Sequence, residues 1–157
     1  MIYATVGTQL PFDRLIGLID SWALSSNVDV LAQVGPSTVS YANIKTVPFL
    51  PPAESKLAVQ RADVVVAHAG MGSILSALEL GKTIIVFPRR FEMGEHRNDH
   101  QMATARAFEN HPLIKVAYNE EDLYRFLNEG GLGQVGEMLS PYAPEEFISS
   151  LKRILNN

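Results

Sequence analysis

Short blocks of apolar, often β-branched residues recur along the chain, and most give way to glycine or proline and then to a segment with helical apolar spacing. Ile2 to Val6 is the first block and reads as a buried strand. Gly7-Thr8-Gln9 forms a turn, and Pro11 stands near the start of a helix whose apolar side carries Leu15, Ile16, Leu18, Ile19 and Trp22. Val28 to Val34, closed by Gly35-Pro36, and Ile44 to Val47, closed by the Pro48 to Pro52 stretch, predict two further strands. A helix from Ala53 to Arg61 then leads into Asp63 to Ala67, the central strand.

The residues after that strand predict the site. His68-Ala69-Gly70-Met71-Gly72-Ser73 is a glycine turn opening a helix that runs from Ser73 to Leu80, with Gly81 just past its end. A strand, a glycine turn and a helix N-terminus together make an anion site, because free backbone N–H groups and the positive end of the helix dipole converge there. Thr83 to Phe87 is the next strand, ended by Pro88, followed by a polar loop from Arg89 to Arg97, a helix from Asn98 to Phe108, a short strand from Leu113 to Val116 and a helix from Glu120 to Leu127. A glycine-rich connection at 130–136 and a helix at 144–155, with Phe147, Ile148, Leu151, Ile154 and Leu155 on one side, complete the chain.

Alternation of strands and helices predicts an α/β fold, a Rossmann-like parallel sheet with helices on both faces, formed by residues 1–157 as a single domain. Ligands of such sheets bind beyond the carboxyl ends of the strands. That rule gathers Gly7, Thr8, Gly35, Phe49, Leu50, the 68–73 turn, Arg89 and Arg90 along one rim.

Composition narrows the partners. At 157 residues the chain can bury a full core. A net charge of −4 and a pI near 5.5, without a basic run, argue against nucleic acid as a partner. The absence of cysteine removes disulfides and thiolate chemistry and suits a cytoplasmic setting. The N-terminal apolar run is too short for a signal peptide or membrane span.

Three familiar patterns fail. Gly70-Met71-Gly72 starts like a dinucleotide fingerprint, but Leu75 occupies the third glycine position. Gly81-Lys82-Thr83 imitates the tail of a phosphate-binding loop, but Ser76 replaces its first glycine and the order of elements is reversed. His96 and His100 are four apart with Glu95 and Asp99 beside them; a solvated helix start explains them without a metal. No metal site and no cofactor are expected.

Taken jointly, His68 to Ser73, Glu79-Leu80-Gly81, Pro88 and Asn98-Asp99-His100-Gln101 resemble the C-terminal, donor-binding domain of glycosyltransferase family 28. The opening Val6 to Asp13 resembles its short two-chain members: the catalytic subunit of the dolichol-linked N-acetylglucosaminyltransferase and, more closely through Gly94 to Gln101, subunits of bacterial exopolysaccharide transferases. The resemblance covers about residues 1–126 and implies a single GT-B C-terminal-type half. It implies that Gly7, Thr8 and the amides from Gly70 to Ser73, with Ala69 and Met71 in the same turn, hold the diphosphate of a UDP-sugar. His68 would stand near a phosphate oxygen, the backbone of Phe49 and Leu50 would take the uracil, and Asn98, His100 and Gln101 belong to the motif that reaches the sugar. Other branches carry a ribose-gripping glutamate where this chain has Ser76, so either Ser76 or Glu79 fills that role.

Arg89 and Arg90 can pair with a sugar carboxylate, meet the diphosphate or face solvent. Asp13 is a candidate base facing the acceptor or a first-turn aspartate favoured by the helix dipole. The function implied is the catalytic subunit of an inverting UDP-sugar hexosyltransferase that extends a polyprenyl-diphosphate-linked glycan in exopolysaccharide or capsule synthesis. A membrane-associated acceptor-binding subunit would hold it at the inner face of the membrane. The 144–155 helix either reaches that partner or packs on its own sheet. The alternative is a nucleotide-sugar-binding or regulatory subunit without turnover.

Overall fold

A computed structural model describes residues 1–129 and the positions Ser149 and Arg153. The glycine-rich connection at 130–136 lies outside the described residues, as does the 144–155 helix apart from Ser149 and Arg153, which are helical. Six strands form one sheet: β1 (Ile2–Thr5), β2 (Val30–Gln33), β3 (Lys45–Val47), β4 (Val64–His68), β5 (Ile84–Phe87) and β6 (Ile114–Val116). The helices are α1 (Asp13–Ala23), α2 (Pro52–Arg61), α3 (Met71–Glu79), α4 (His100–Phe108) and α5 (Glu120–Asn128). Every strand pair is parallel and the order is β3-β2-β1-β4-β5-β6. From β1 the chain first builds outward to β3 and then returns to the other side of β1 as β4. The switch in direction therefore falls between β1 and β4, where α/β sheets open a ligand crevice.

The alternation of side chains along each strand divides the core in two. Ile2, Ala4, Val64, Val66, Ile85 and Phe87 face α1 and α5, where they meet Leu15, Ile16, Ile19, Trp22, Leu123 and Leu127. Tyr3, Val65, Ala67, Ile84 and Val86 face the other way, onto Val59, Ile74, Leu78 and Phe108 of α2, α3 and α4. A parallel sheet covered on both faces is why the strands read as continuous apolar runs. Each fully buried Leu, Ile or Phe contributes about 1.5–3 kcal/mol, so the rim groups rest on a rigid floor.

Element boundaries shift where polar side chains intervene. β2 begins at Val30 because Val28 is 41% exposed and outside the ladder. β4 continues to His68, and α3 begins at Met71, two residues before the expected Ser73. α4 begins at His100, since Asn98 Oδ1 accepts from the His100 amide at 3.1 Å and holds Asn98 in a turn. Gly81 ends α3 as expected, at φ +64°, with its amide on Leu78 O (3.0 Å) and the Lys82 amide on Ala77 O (2.9 Å).

Candidate functional site

His68 ends β4 at the switch point. Its imidazole lies between two glycines: a Cβ added at Gly70 would sit 2.1 Å from Cε1, and one at Gly7 would sit 2.8 Å from Nε2. These two positions carry glycine because a ring occupies the space of their side chains. The glycine turn expected at 68–73 contains no left-handed residue. Gly70 has φ −90°, and among the described residues positive φ is confined to Gly7, Gly35, Gly81 and Gly94. The sharp turn is made by Gly7, at φ +79°.

Burial pushes His68 down to about 4, and the positive charges of Arg89 and His96 act in the same direction. The folded state thus binds fewer protons here than the unfolded chain, whose histidine titrates near 6.5. Its contribution is fully present above about pH 6.5 and falls as the pH drops toward 4, by up to roughly 3 kcal/mol. Urea unfolding of the parent and of His68→Asn between those pH values is expected to show a steeper loss in the parent; parallel pH profiles would remove His68 as the cause.

α3 starts immediately beyond this ring. Its first intrahelical bond runs from the Ile74 amide to Gly70 O at 3.1 Å, and no side chain caps its start. The amides of Met71, Gly72 and Ser73 therefore have no acceptor within the helix, the condition under which a helix N-terminus receives an anion. Gly72 is exposed on the cleft, and the space where its Cβ would project is open to 4 Å. Ser73 Oγ lies 3.4 Å from His68 Nε2. Further along α3, Ser76 and Glu79 both line the cleft; the Ser76 hydroxyl donates to Gly72 O at 2.8 Å, so Glu79 keeps the freer polar group.

The cleft measures about 690 Å³ and brings together separate segments of the chain. Gly7 and Thr8 come from the β1–α1 turn, Phe49 and Leu50 from the β3–α2 connection, the α3 start from the centre, and Arg89, His96 and Gln101 from the stretch after β5. Three residues that sequence reasoning did not place here have plain roles. Gln33, buried at the end of β2, donates to Gly7 O (2.9 Å) and accepts from the Leu50 amide (2.8 Å), so it fixes both loops. Lys56 of α2 supplies a cation at the wall, and His96 enters from the β5–α4 loop with Nδ1 3.0 Å from Asn98 Oδ1. A polar residue ending a buried strand is a readable sign for Gln33; Lys56 and His96 have no local sign.

Other expected residues have different tasks or lie outside the cleft. Arg89 is 2% exposed, and its guanidinium donates to the carbonyls of Val6, Leu10 and Pro11 at 2.6–2.9 Å while lying 4.6 Å from the Phe12 ring centroid. It is a buried brace for the β1–α1 turn, so the solvated reading and the carboxylate reading both give way to a structural one. Arg90 donates to Tyr118 O and pairs with Glu92, outside the cleft lining. Glu95 anchors the β5–α4 loop: it takes Arg14 on both carboxylate oxygens and the Arg90 amide at 2.9 Å. Asp13 accepts from Ser37 and Tyr41 (3.1 Å) at the start of α1, outside the cleft lining; burial, and then the Asp13 carboxylate, push the Tyr41 hydroxyl up to about 12. Asn98 and His100 belong to the start of α4 and do not line the cleft, nor do Ala69 and Met71.

A parallel sheet in this strand order, with a helix N-terminus opening on a cleft at the switch point, defines a Rossmann-like α/β domain. The chain belongs to glycosyltransferase family 28, whose C-terminal domain matches residues 1–129. It is 39% identical over 74 residues to the UDP-N-acetylglucosamine transferase subunit ALG13 of Kluyveromyces lactis, a match covering 46% of this chain and 36% of that protein. It is 31% identical over 116 residues to the subunit of the same name from Homo sapiens, covering 67% of this chain and 10% of that protein. Among solved structures, Acinetobacter baumannii MurG superimposes with a TM-score of 0.65 at 17% identity, over 99% of this chain and 49% of that one. An NMR structure of ALG13 gives 0.60 at 18% identity, over 99% and 95%.

Proposed function

We propose that this chain is the donor-binding, catalytic subunit of an inverting UDP-sugar hexosyltransferase. The observation that carries the reading is the uncapped start of α3, opening beside the half-buried, neutral His68 on the cleft at the switch point. Transfer of a sugar from UDP leaves negative charge on the diphosphate as the anomeric C–O bond breaks, and fixed N–H dipoles stabilise that charge most where water is excluded. The amides of Gly70 to Ser73 and the Gly7-Thr8 turn would hold the diphosphate, Phe49 and Leu50 the uracil, and Ser76 or Glu79 the ribose. No metal is required for this, because the helix dipole and amides take the leaving group's charge.

The acceptor hydroxyl needs a base and a surface that this cleft lacks an assigned group for, since Asp13 is held by Ser37 and Tyr41 outside it. A second, membrane-associated subunit completing the cleft answers both needs by excluding water and aligning the acceptor. The similarity to ALG13, a transferase subunit by name, supports a partner of this kind. Among the described residues no helix is long and apolar enough to cross a membrane, so contact with a polyprenyl-diphosphate-linked glycan at the inner membrane face would come through that partner. Exopolysaccharide or capsule synthesis is the setting that fits such an acceptor.

The test is a thermal-shift panel of UDP, UDP-glucose, UDP-N-acetylglucosamine, UDP-glucuronate and NAD, with and without chelator, followed by transfer from radiolabelled UDP-sugars to membranes. UDP and a UDP-sugar should raise Tm, by about 2.7 kcal/mol of added stability at a hundred times Kd, whereas NAD should not. Transfer should appear only when the partner subunit is co-expressed. Stabilisation by UDP without transfer under any pairing would favour a nucleotide-sugar-binding subunit; no stabilisation would overturn the reading.

A further inference from the structure

The Gln101 side chain is buried at the start of α4 and makes three hydrogen bonds in three directions. Its Oε1 accepts from the backbone amides of Ala69 (3.1 Å) and Arg89 (3.0 Å), which follow β4 and β5. Two N–H donors converging on one atom leave a single orientation for the amide, because the flipped form would set an NH2 group against both. The other end of the amide, Nε2, is then the group 3.0 Å from His68 Nδ1. An NH2 can only donate. Nδ1 must accept, so it carries no hydrogen, and the proton of the neutral ring resides on Nε2. That atom is the one beside Gly7 and Ser73 Oγ, at the mouth of the α3 amides.

We infer that Gln101 is a positioning residue, which fixes His68 as the Nε2–H tautomer and so adds a side-chain N–H to the amides that face the diphosphate. This rests on the UDP-sugar reading for the ligand, and on geometry alone for the tautomer. It gives Gln101 a different task from contact with sugar hydroxyls: both lone pairs of its oxygen and one of its two N–H groups are engaged within the protein. The reason a donor is held here is electrostatic. With the proton on Nδ1, the bare Nε2 would direct a lone pair at phosphate oxygens and lose a hydrogen bond to a charged group. The charged or titratable groups around the ring are Arg89 and His96 from the segment after β5, with Glu79 of α3 and Lys56 of α2 across the same cleft; the β1–α1 turn and the start of α3 present only Gly7, Gly70 and Ser73 against it.

The experiment uses Gln101→Glu in the full chain, since a carboxylate keeps an oxygen for the Ala69 and Arg89 amides while removing the donor to Nδ1. Long-range ¹H–¹⁵N spectra of uniformly labelled protein, with His68→Asn to assign the ring, should show the parent protonated on Nε2 and bare on Nδ1. Gln101→Glu should carry a proton on Nδ1 throughout. Its UDP-glucose affinity should match the parent while the ring is an imidazolium and fall about tenfold between roughly pH 7 and pH 9, as Nε2 loses its proton to solvent. The parent should stay flat over that range. A parent ring protonated on Nδ1, or a variant still bare there, overturns the inference, and so does a loss of affinity in the variant that is equal at every pH. Absence of UDP-glucose binding by the parent sinks the nucleotide reading instead, while the spectra still decide the tautomer.

Discussion

Gly70→Ala is expected to destabilise the protein by about 2–3 kcal/mol and to abolish UDP binding, although it adds a single methyl group. The backbone is not the reason, since φ −90° and ψ 136° suit alanine. The reason is the imidazole of His68, whose Cε1 and Nε2 would lie 2.1 and 2.6 Å from the new Cβ. The ring has little room to withdraw: Gln101 holds Nδ1 on one edge, and Gly7 lies against Nε2. Either the ring leaves its niche and its bond to Gln101, or the β4–α3 turn moves and takes the amides with it. The prediction is therefore sharpest as a double-mutant cycle. His68→Ala in the Gly70→Ala background should recover most of the lost stability without recovering UDP binding, giving a coupling of at least about 1 kcal/mol. Urea unfolding of the four proteins measures it, and a Gly70→Ala protein as stable as the parent would mean that the ring is not in this niche.

Two residues further on, Gly72→Phe should behave in the opposite way. A Cβ there meets nothing within 4 Å, and the residue lies in the first turn of α3 without positive φ, so the fold has no objection to a side chain. Replacing glycine in a helix removes up to about 1 kcal/mol of conformational penalty, so Tm should hold or rise. The side chain would project beside the cleft, where a diphosphate approaches the backbone, and affinity for UDP should fall at least a hundredfold, about 2.7 kcal/mol. Calorimetry against UDP, with Gly72→Ala as the intermediate case, separates steric exclusion from any change in the helix. A folded Gly72→Phe protein that binds UDP like the parent would remove the α3 start from the nucleotide site. Together the two variants distinguish a glycine required by a neighbouring side chain from one required by a ligand.

The sequence by itself determined the architecture. Strand after strand, the apolar blocks and the residues that end them, Gly7, Gly35, Gly81 and Pro88, located the elements to within a few residues, and the joint motif from His68 to Gln101 identified the family. These features are local: a period of two or of 3.6, a glycine at a helix end and a strand-turn-helix are written in consecutive residues. The place of the ligand rim, beyond the carboxyl ends of the strands, followed from a rule that needs only the succession of elements, whereas the order β3-β2-β1-β4-β5-β6 is set by the assembled sheet.

The tertiary structure decided what each polar side chain does, because its partners come from distant parts of the chain. Arg89 looked like a cation for a carboxylate or a phosphate, yet its guanidinium bonds to Val6 O, 83 residues away, and is buried. Gln101 looked like a sugar contact and lies 33 residues from the histidine it touches. Gly70 and Gly72 read alike as turn glycines, whereas one makes room for an imidazole and the other leaves the helix start open. Asn98 and His100 sit within three residues of Gln101, but the turn that begins α4 directs Gln101 alone of the three to the cleft. Periodicity specifies which face of an element is buried; which donor meets which acceptor depends on the packing of strands and helices against one another, and that is fixed only when they are assembled.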